Sequence, residues 1–249
     1  GFPMHPHNVD MVGLNPAAVI LDSKDPCENL LTDLKAGNIT TVVIDRPDCL
    51  EADLIVVPCF GWQAGRESEK LFGGSEFQLL RGDILKLRPP SPPEAGEGIV
   101  VSFGGEDPFL LTEKTARALA QFPGDIPTIF IIGPDFLKHR KTWPPESLKQ
   151  VNFQIIETGD PLESILPGAG LLITAMGVTI AEAHVLGVPV AVLANYQSDQ
   201  NTVKLLVDQD AVEDLGFHLD ISDENLKSAL EAIWNDVEKR KRLASQGWR

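Results

Sequence analysis

Residues 171–193 read Leu171-Leu172-Ile173-Thr174-Ala175-Met176-Gly177-Val178-Thr179-Ile180-Ala181-Glu182-Ala183-His184-Val185-Leu186-Gly187-Val188-Pro189-Val190-Ala191-Val192-Leu193. A short apolar run leads into a loop with one glycine. A helical stretch follows, closed by Gly187-Val188-Pro189, and a second apolar run begins. This is one strand–helix–strand unit. Its apolar runs are continuous, as expected of strands covered on both faces in a parallel sheet. The same alternation extends outward. Strands are predicted at 99–103, 128–132, 153–156, 171–174, 190–193 and 216–219. Helices are predicted at 108–121, 161–166, 178–186, 199–209 and from 223 to about 245. The fold class is therefore α/β, with a near-complete doubly wound domain over residues 99–249.

Upstream, continuous runs at 18–21, 41–44 and 54–57 predict three more strands, with a helix at 26–36 ended by Gly37-Asn38. Three strand signals in the first 90 residues amount to about half of a doubly wound domain, so residues 1–90 read as an incomplete Rossmann-like domain. A proline-rich linker at 91–98 lies between the two, within the stretch Leu87 to Gly98.

The chain of 249 residues carries a formal net charge of −15, and both parts share the acidic excess. That argues against a nucleic-acid partner, which would need a basic stripe. No apolar run is long enough for a transmembrane segment, and the N-terminus has no signal-peptide pattern. Cys27, Cys49 and Cys59 are an odd, widely spaced set without a CxxC pair. Reduced thiols in a cytoplasmic protein are expected, with neither a disulfide framework nor a metal site.

In an open parallel sheet, ligands sit outside the carboxyl ends of the strands. Ser102-Phe103-Gly104-Gly105-Glu106-Asp107-Pro108 follows one strand. Its two glycines let backbone approach a ligand and turn N–H groups toward phosphate. It also reads as a plain turn, with Asp107 as N-cap and Pro108 at the first helical position. In Met176-Gly177-Val178-Thr179, the glycine precedes a helix whose positive end favours a diphosphate. Glu182, one turn on, can accept ribose hydroxyls. Thr179 and Glu182 also have capping-box spacing. The loop Asn195-Tyr196-Gln197-Ser198-Asp199-Gln200-Asn201 offers uncharged donors and acceptors to sugar hydroxyls. The loops at Gly133 and at Glu157-Thr158-Gly159 read as turns or as backbone lining for a base. His184 reads as packed or on the surface, and His218 as structural.

Taken together, these segments resemble the C-terminal domain of GT-B nucleotide-sugar enzymes. They are most similar to the branch holding the UDP-sugar hydrolase of the pseudaminic acid pathway and its spore-coat polysaccharide relatives. The segments are Val100 to Pro108, Ile173 to Ala183, Gly187-Val188-Pro189, and Ala194 through Asn201, in that order. Leu79 to Arg88 resembles the same branch's interdomain segment. The resemblance implies a GT-B-like pair of Rossmann-like domains with a nucleotide sugar, UDP-linked, in the cleft between them. Ser102, Gly104, Gly105, Met176, Gly177 and Val178 would meet the diphosphate, beside which Thr179 can add a hydroxyl, and Glu182 the ribose. Gly133 and Thr158 would line the base, and Asn195, Tyr196, Gln200 and Asn201 the sugar. It implies cleavage at the anomeric carbon, by a hydrolase or a glycosyltransferase, with no required cofactor or metal. In the hydrolase branch the base sits in a Gly-x-Gly-His loop. This sequence has no such loop, and no catalytic residue is assigned. The alternative is a non-catalytic nucleotide-sugar-binding or partner-binding GT-B relative. Sequence gives no oligomeric state.

Overall fold

The computed structural model describes residues 13–23, 25–62, 68–94, 96–122, 126–133, 135–136, 143–144, 153–157 and 162–249. The chain divides into two compact units, one running to Leu79 and one of Leu80–Arg249.

In the first unit, β1 (Ala18–Asp22), β2 (Thr40–Ile44), β3 (Leu54–Val57) and β4 (Leu71–Gly73) form a parallel sheet in sequential order. The helix α1 (Glu28–Ala36) buries Leu31 and Leu34. The sheet departs from the expectation of strands covered on both faces. Burial alternates along β1, β2 and β3, and Ile20 is 54% exposed. Alternation means that one face is packed and the other is not, among the described residues. At the end of α1, Asn38 rather than Gly37 takes the left-handed conformation (φ 57°), and Ile39 N–H returns to the Leu34 carbonyl at 3.0 Å. The strand β4 went unread because three residues carry too little pattern.

The second unit holds β5 (Glu97–Ser102), β6 (Thr128–Ile132), β7 (Phe153–Glu157), β8 (Ala169–Thr174), β9 (Val190–Ala194) and β10 (Glu213–Phe217). They pair in parallel in the order β10-β9-β8-β5-β6-β7. Here β8 and β9 are buried along their whole length, as their continuous apolar runs predict. The helices are α2 (Gly82–Lys86), α3 (Leu111–Leu119), α4 (Leu162–Ile165), α5 (Val178–Leu186), α6 (Gln200–Asp208), α7 (Asp223–Asn235) and α8 (Val237–Trp248). The core gathers Val101, Phe130, Leu171, Ile173 and Leu193 from the sheet with Leu226, Leu230 and Leu243 from α7 and α8.

Several boundaries differ from the sequence reading, each for a local reason. The single long helix expected after residue 223 is two, broken at Asp236. Its carboxylate accepts from Lys239 N–H at 2.9 Å and restarts the chain as α8. The last strand ends at Phe217, not 219, with a register irregularity between Asp214 and Phe217. The helix expected to start at Pro108 starts at Leu111. The proline-rich stretch packs on the second unit. Arg88 lies 4.7 Å over the Trp248 ring, Trp248 Nε1 donates to the Pro89 carbonyl at 3.3 Å, and Pro93 sits against Gly187.

Candidate functional site

The chain lays down β5, β6 and β7 in one direction, then returns to the other side of β5 for β8, β9 and β10. The order therefore reverses between β5 and β8, where a doubly wound sheet opens a crevice at its carboxyl edge. The registers bring Ser102 opposite Thr174, and Thr174 opposite Val192. The loops after β5 and β8 thus leave the sheet side by side.

The first loop is held by its own backbone. Gly104 has φ 80°, a left-handed conformation that favours glycine, and the space in front of its Cα is open. A Cβ on Gly133, by contrast, would fall on the carbonyl oxygens of Gly104 and Gly105. Gly133, at the end of β6, is thus a close-approach glycine, and Asp135 N–H ties to the Gly105 carbonyl at 3.0 Å. Asp107 does not act as N-cap in the expected register. Its buried carboxylate accepts from Leu111 and Thr112 N–H, each at 2.8 Å, while Phe109 and Leu110 bulge out between. Two bonds from one carboxylate satisfy the first donors of α3.

In the second loop Gly177 caps α5 in extended backbone, and no side chain caps that end among the described residues. Space in front of Gly177 is open too. The capping box expected of Thr179 and Glu182 does not form, because the helix begins at Val178 and Thr179 lies inside it. Glu182 is 4% exposed and pairs with Arg81, whose Nε donates to Oε1 at 3.0 Å. Arg81 Nη1 also pairs with Glu163 Oε2 at 3.0 Å.

After β9, the Asn195 Oδ1 is buried and has no hydrogen-bond partner. Tyr196, 50% exposed, meets Phe109 edge-on at 5.4 Å. Phe109 in turn lies 4.5 Å from the His218 ring. Burial, with Lys114 nearby, pushes the His218 pKa down. Asp199 accepts from Tyr196 N–H at 3.3 Å, and burial raises its carboxyl. Gln200 and Asn201 sit one strand further out. They line a cleft of about 400 Å³ with Lys204, Phe217 and Asp220.

The structure thus gathers Ser102, Gly104, Gly105, Gly133, Met176, Gly177, Val178, Thr179 and Glu182 at three neighbouring strand ends. Asn195 and Tyr196 stand at the fourth. Thr158 lies outside the described residues. Arg81, Phe109 and His218 were not assigned to the site from sequence. Leu79 to Arg88 carried a resemblance, but nothing in the pattern tied Arg81 to a glutamate 101 positions away. No three His, Cys, Asp or Glu side chains come together as a metal cluster among the described residues. None of the described helices is long and apolar enough to cross a membrane.

No family model matches the chain. It is 29% identical over 151 residues to the spore coat polysaccharide biosynthesis protein SpsG of Bacillus subtilis, covering 60% of this chain and 44% of that protein. It is 25% identical over 202 residues to an uncharacterized protein of Methanocaldococcus jannaschii, covering 75% of this chain and 41% of that protein. The chain therefore spans less than half the length of these curated relatives. Among solved structures, it is similar to MurG of Acinetobacter baumannii at TM-score 0.65 and 14% identity, over 96% of this chain and 70% of that one. Against HepE of Anabaena in complex with UDP and glucose the TM-score is 0.60 at 15% identity, over 93% and 72%. Against MnaA of S. aureus with UDP it is 0.60 at 12% identity, over 93% and 71%. The fold is GT-B: α/β, with two parallel-sheet units.

Proposed function

We propose that this GT-B chain binds a nucleotide sugar, UDP-linked, at the carboxyl edge of its second sheet. The observation that carries this reading is the pair of open glycines, Gly104 and Gly177, on adjacent loops where the strand order reverses. One of them begins a nine-residue helix that no side chain caps. Backbone N–H groups and the helix's positive end there suit a diphosphate without any lysine or arginine. Glu182, one turn further on, suits a ribose, and the buried Asn195 Oδ1 suits a hydroxyl donor. The neighbours solved with UDP or UDP-glucose support the reading, as does the SpsG relative's link to surface polysaccharide.

The proposed chemistry breaks the anomeric C–O bond, with the nucleoside diphosphate leaving. Negative charge grows on the diphosphate as the bond breaks, and the α5 end would stabilise it. A general base would activate either water or an acceptor hydroxyl. No residue is assigned that role, so hydrolase and glycosyltransferase both remain within the proposal. A cytoplasmic setting belongs to it as well, in keeping with three free cysteines.

Thermal unfolding with UDP, UDP-glucose, UDP-N-acetylglucosamine, CMP and TDP tests the binding. A ligand at 100 times its Kd adds about 2.7 kcal/mol, which raises the midpoint by several degrees. Stabilisation by the UDP compounds supports the reading, and no shift with any compound defeats it. An assay for UDP release then separates turnover from the non-catalytic binding alternative.

A further inference from the structure

Glu182 is enclosed, its side chain only 6% exposed, and a carboxylate so enclosed needs a partner of opposite charge. Arg81 supplies it from just ahead of α2, a helix that packs on α5. The way the pair is made matters. Arginine and carboxylate often join through two parallel N–H···O bonds, which occupy both oxygens. Here Arg81 makes one hydrogen bond to Glu182, from Nε to Oε1 at 3.0 Å. Nη1, on the opposite edge of the guanidinium, lies 3.0 Å from Glu163 Oε2 in an ion pair without hydrogen-bond geometry. The guanidinium is thus held by one directional hydrogen bond to Glu182 and drawn by charge toward Glu163 on its other edge. Arg81 remains half exposed, so the pair meets solvent on the arginine side.

We propose that Arg81 is a positioning residue that sets the ribose specificity of this site. By hydrogen-bonding Oε1, with Glu163 ion-paired at its far edge, it positions Glu182 so that Oε2 accepts a ribose hydroxyl. The site then selects ribonucleotides over their deoxy counterparts. This rests on the nucleotide-sugar reading above. A hydrogen bond to a carboxylate contributes more than a neutral one, which makes the discrimination large enough to measure.

Calorimetric titration of the full chain with UDP, 2′-deoxy-UDP and 3′-deoxy-UDP tests it. The unmodified protein is expected to bind UDP at least tenfold more tightly than one of the deoxy analogues. Arg81→Gln is expected to lose that preference by weakening UDP alone, and Arg81→Lys to recover part of it. If Arg81→Gln does not fold, Arg81→Lys decides, with a reduced preference expected. A merely structural Arg81 would lower the melting temperature and leave the UDP-to-deoxy ratio unchanged. An unchanged ratio in a folded variant, or equal binding of all three by the unmodified protein, overturns the proposal. Failure of the unmodified protein to bind any of them defeats the nucleotide reading and this one with it.

Discussion

His184 shows how a residue that resembles a catalytic group can belong to the core. Its ring lies on α5, with Nε2 donating to the Ala211 carbonyl at 3.0 Å and the ring face against Gly247. Burial pushes its pKa down to about 4 from an unfolded value near 6.5. The unfolded chain therefore takes up a proton that the folded chain refuses. The stability this neutral ring allows is fully present above pH 6.5 and is lost as pH falls toward about 4, by roughly 3 kcal/mol in all. Urea unfolding between about pH 7.5 and 4.5 should show that loss, and His184→Gln should flatten it. An identical pH slope in the two proteins would contradict the assignment. Glu182, two residues earlier on the same helix, behaves differently. Glu182→Ala should weaken UDP binding at least tenfold, whereas a residue serving only the fold would change the melting point alone. The sequence marked both positions and read His184 as packed or on the surface; the structure packs it. Arg81 was out of reach. A salt bridge spanning 101 positions has no local signature.

At the scale of elements, the two strand-end loops make opposite predictions. Gly177 is extended, with open space before it, so aspartate fits there without strain. An aspartate N-cap next to the positive helix end should stabilise the fold by about 0.5–1 kcal/mol. The same charge should repel a diphosphate and cut UDP affinity more than tenfold. Stability rising while binding falls, read by urea unfolding and calorimetry, is the expected signature. Binding left intact would remove the diphosphate from this helix end. Gly133→Ala instead drives a methyl into the Gly104–Gly105 backbone and should lower both stability and binding. Strands such as 54–57 and 128–132 and the helix 178–186 were legible to the residue, because apolar runs and flanking glycines mark them. The break at Asp236 and the displaced start of α3 were not. Both are set by one carboxylate choosing particular backbone N–H groups, and several nearby positions offer the same residue type.

For the whole molecule, the net charge of −15 accommodates a phosphate ligand if backbone dipoles do most of the holding. Affinity for UDP should then stay level or rise as sodium chloride increases from about 20 to 200 mM, since salt screens long-range repulsion. A steep fall would point to a lysine or arginine cradle instead. The second unit's parallel strands and strand-end loops followed from the sequence because one strand–helix–strand pattern repeats through it, whereas the order of its strands came from the structure. In the first unit the one-sided burial of the sheet did not follow, since a strand's apolar run does not reveal which neighbours cover it. The central claim is that a nucleoside diphosphate sits between the loops after β5 and β8. A crystal structure with UDP tests it most directly. The account predicts the diphosphate within hydrogen-bond distance of backbone N–H groups at Gly104–Gly105 and Gly177–Val178, with the ribose at Glu182. UDP seated elsewhere on the chain, or phosphates held by side chains away from those loops, would contradict it.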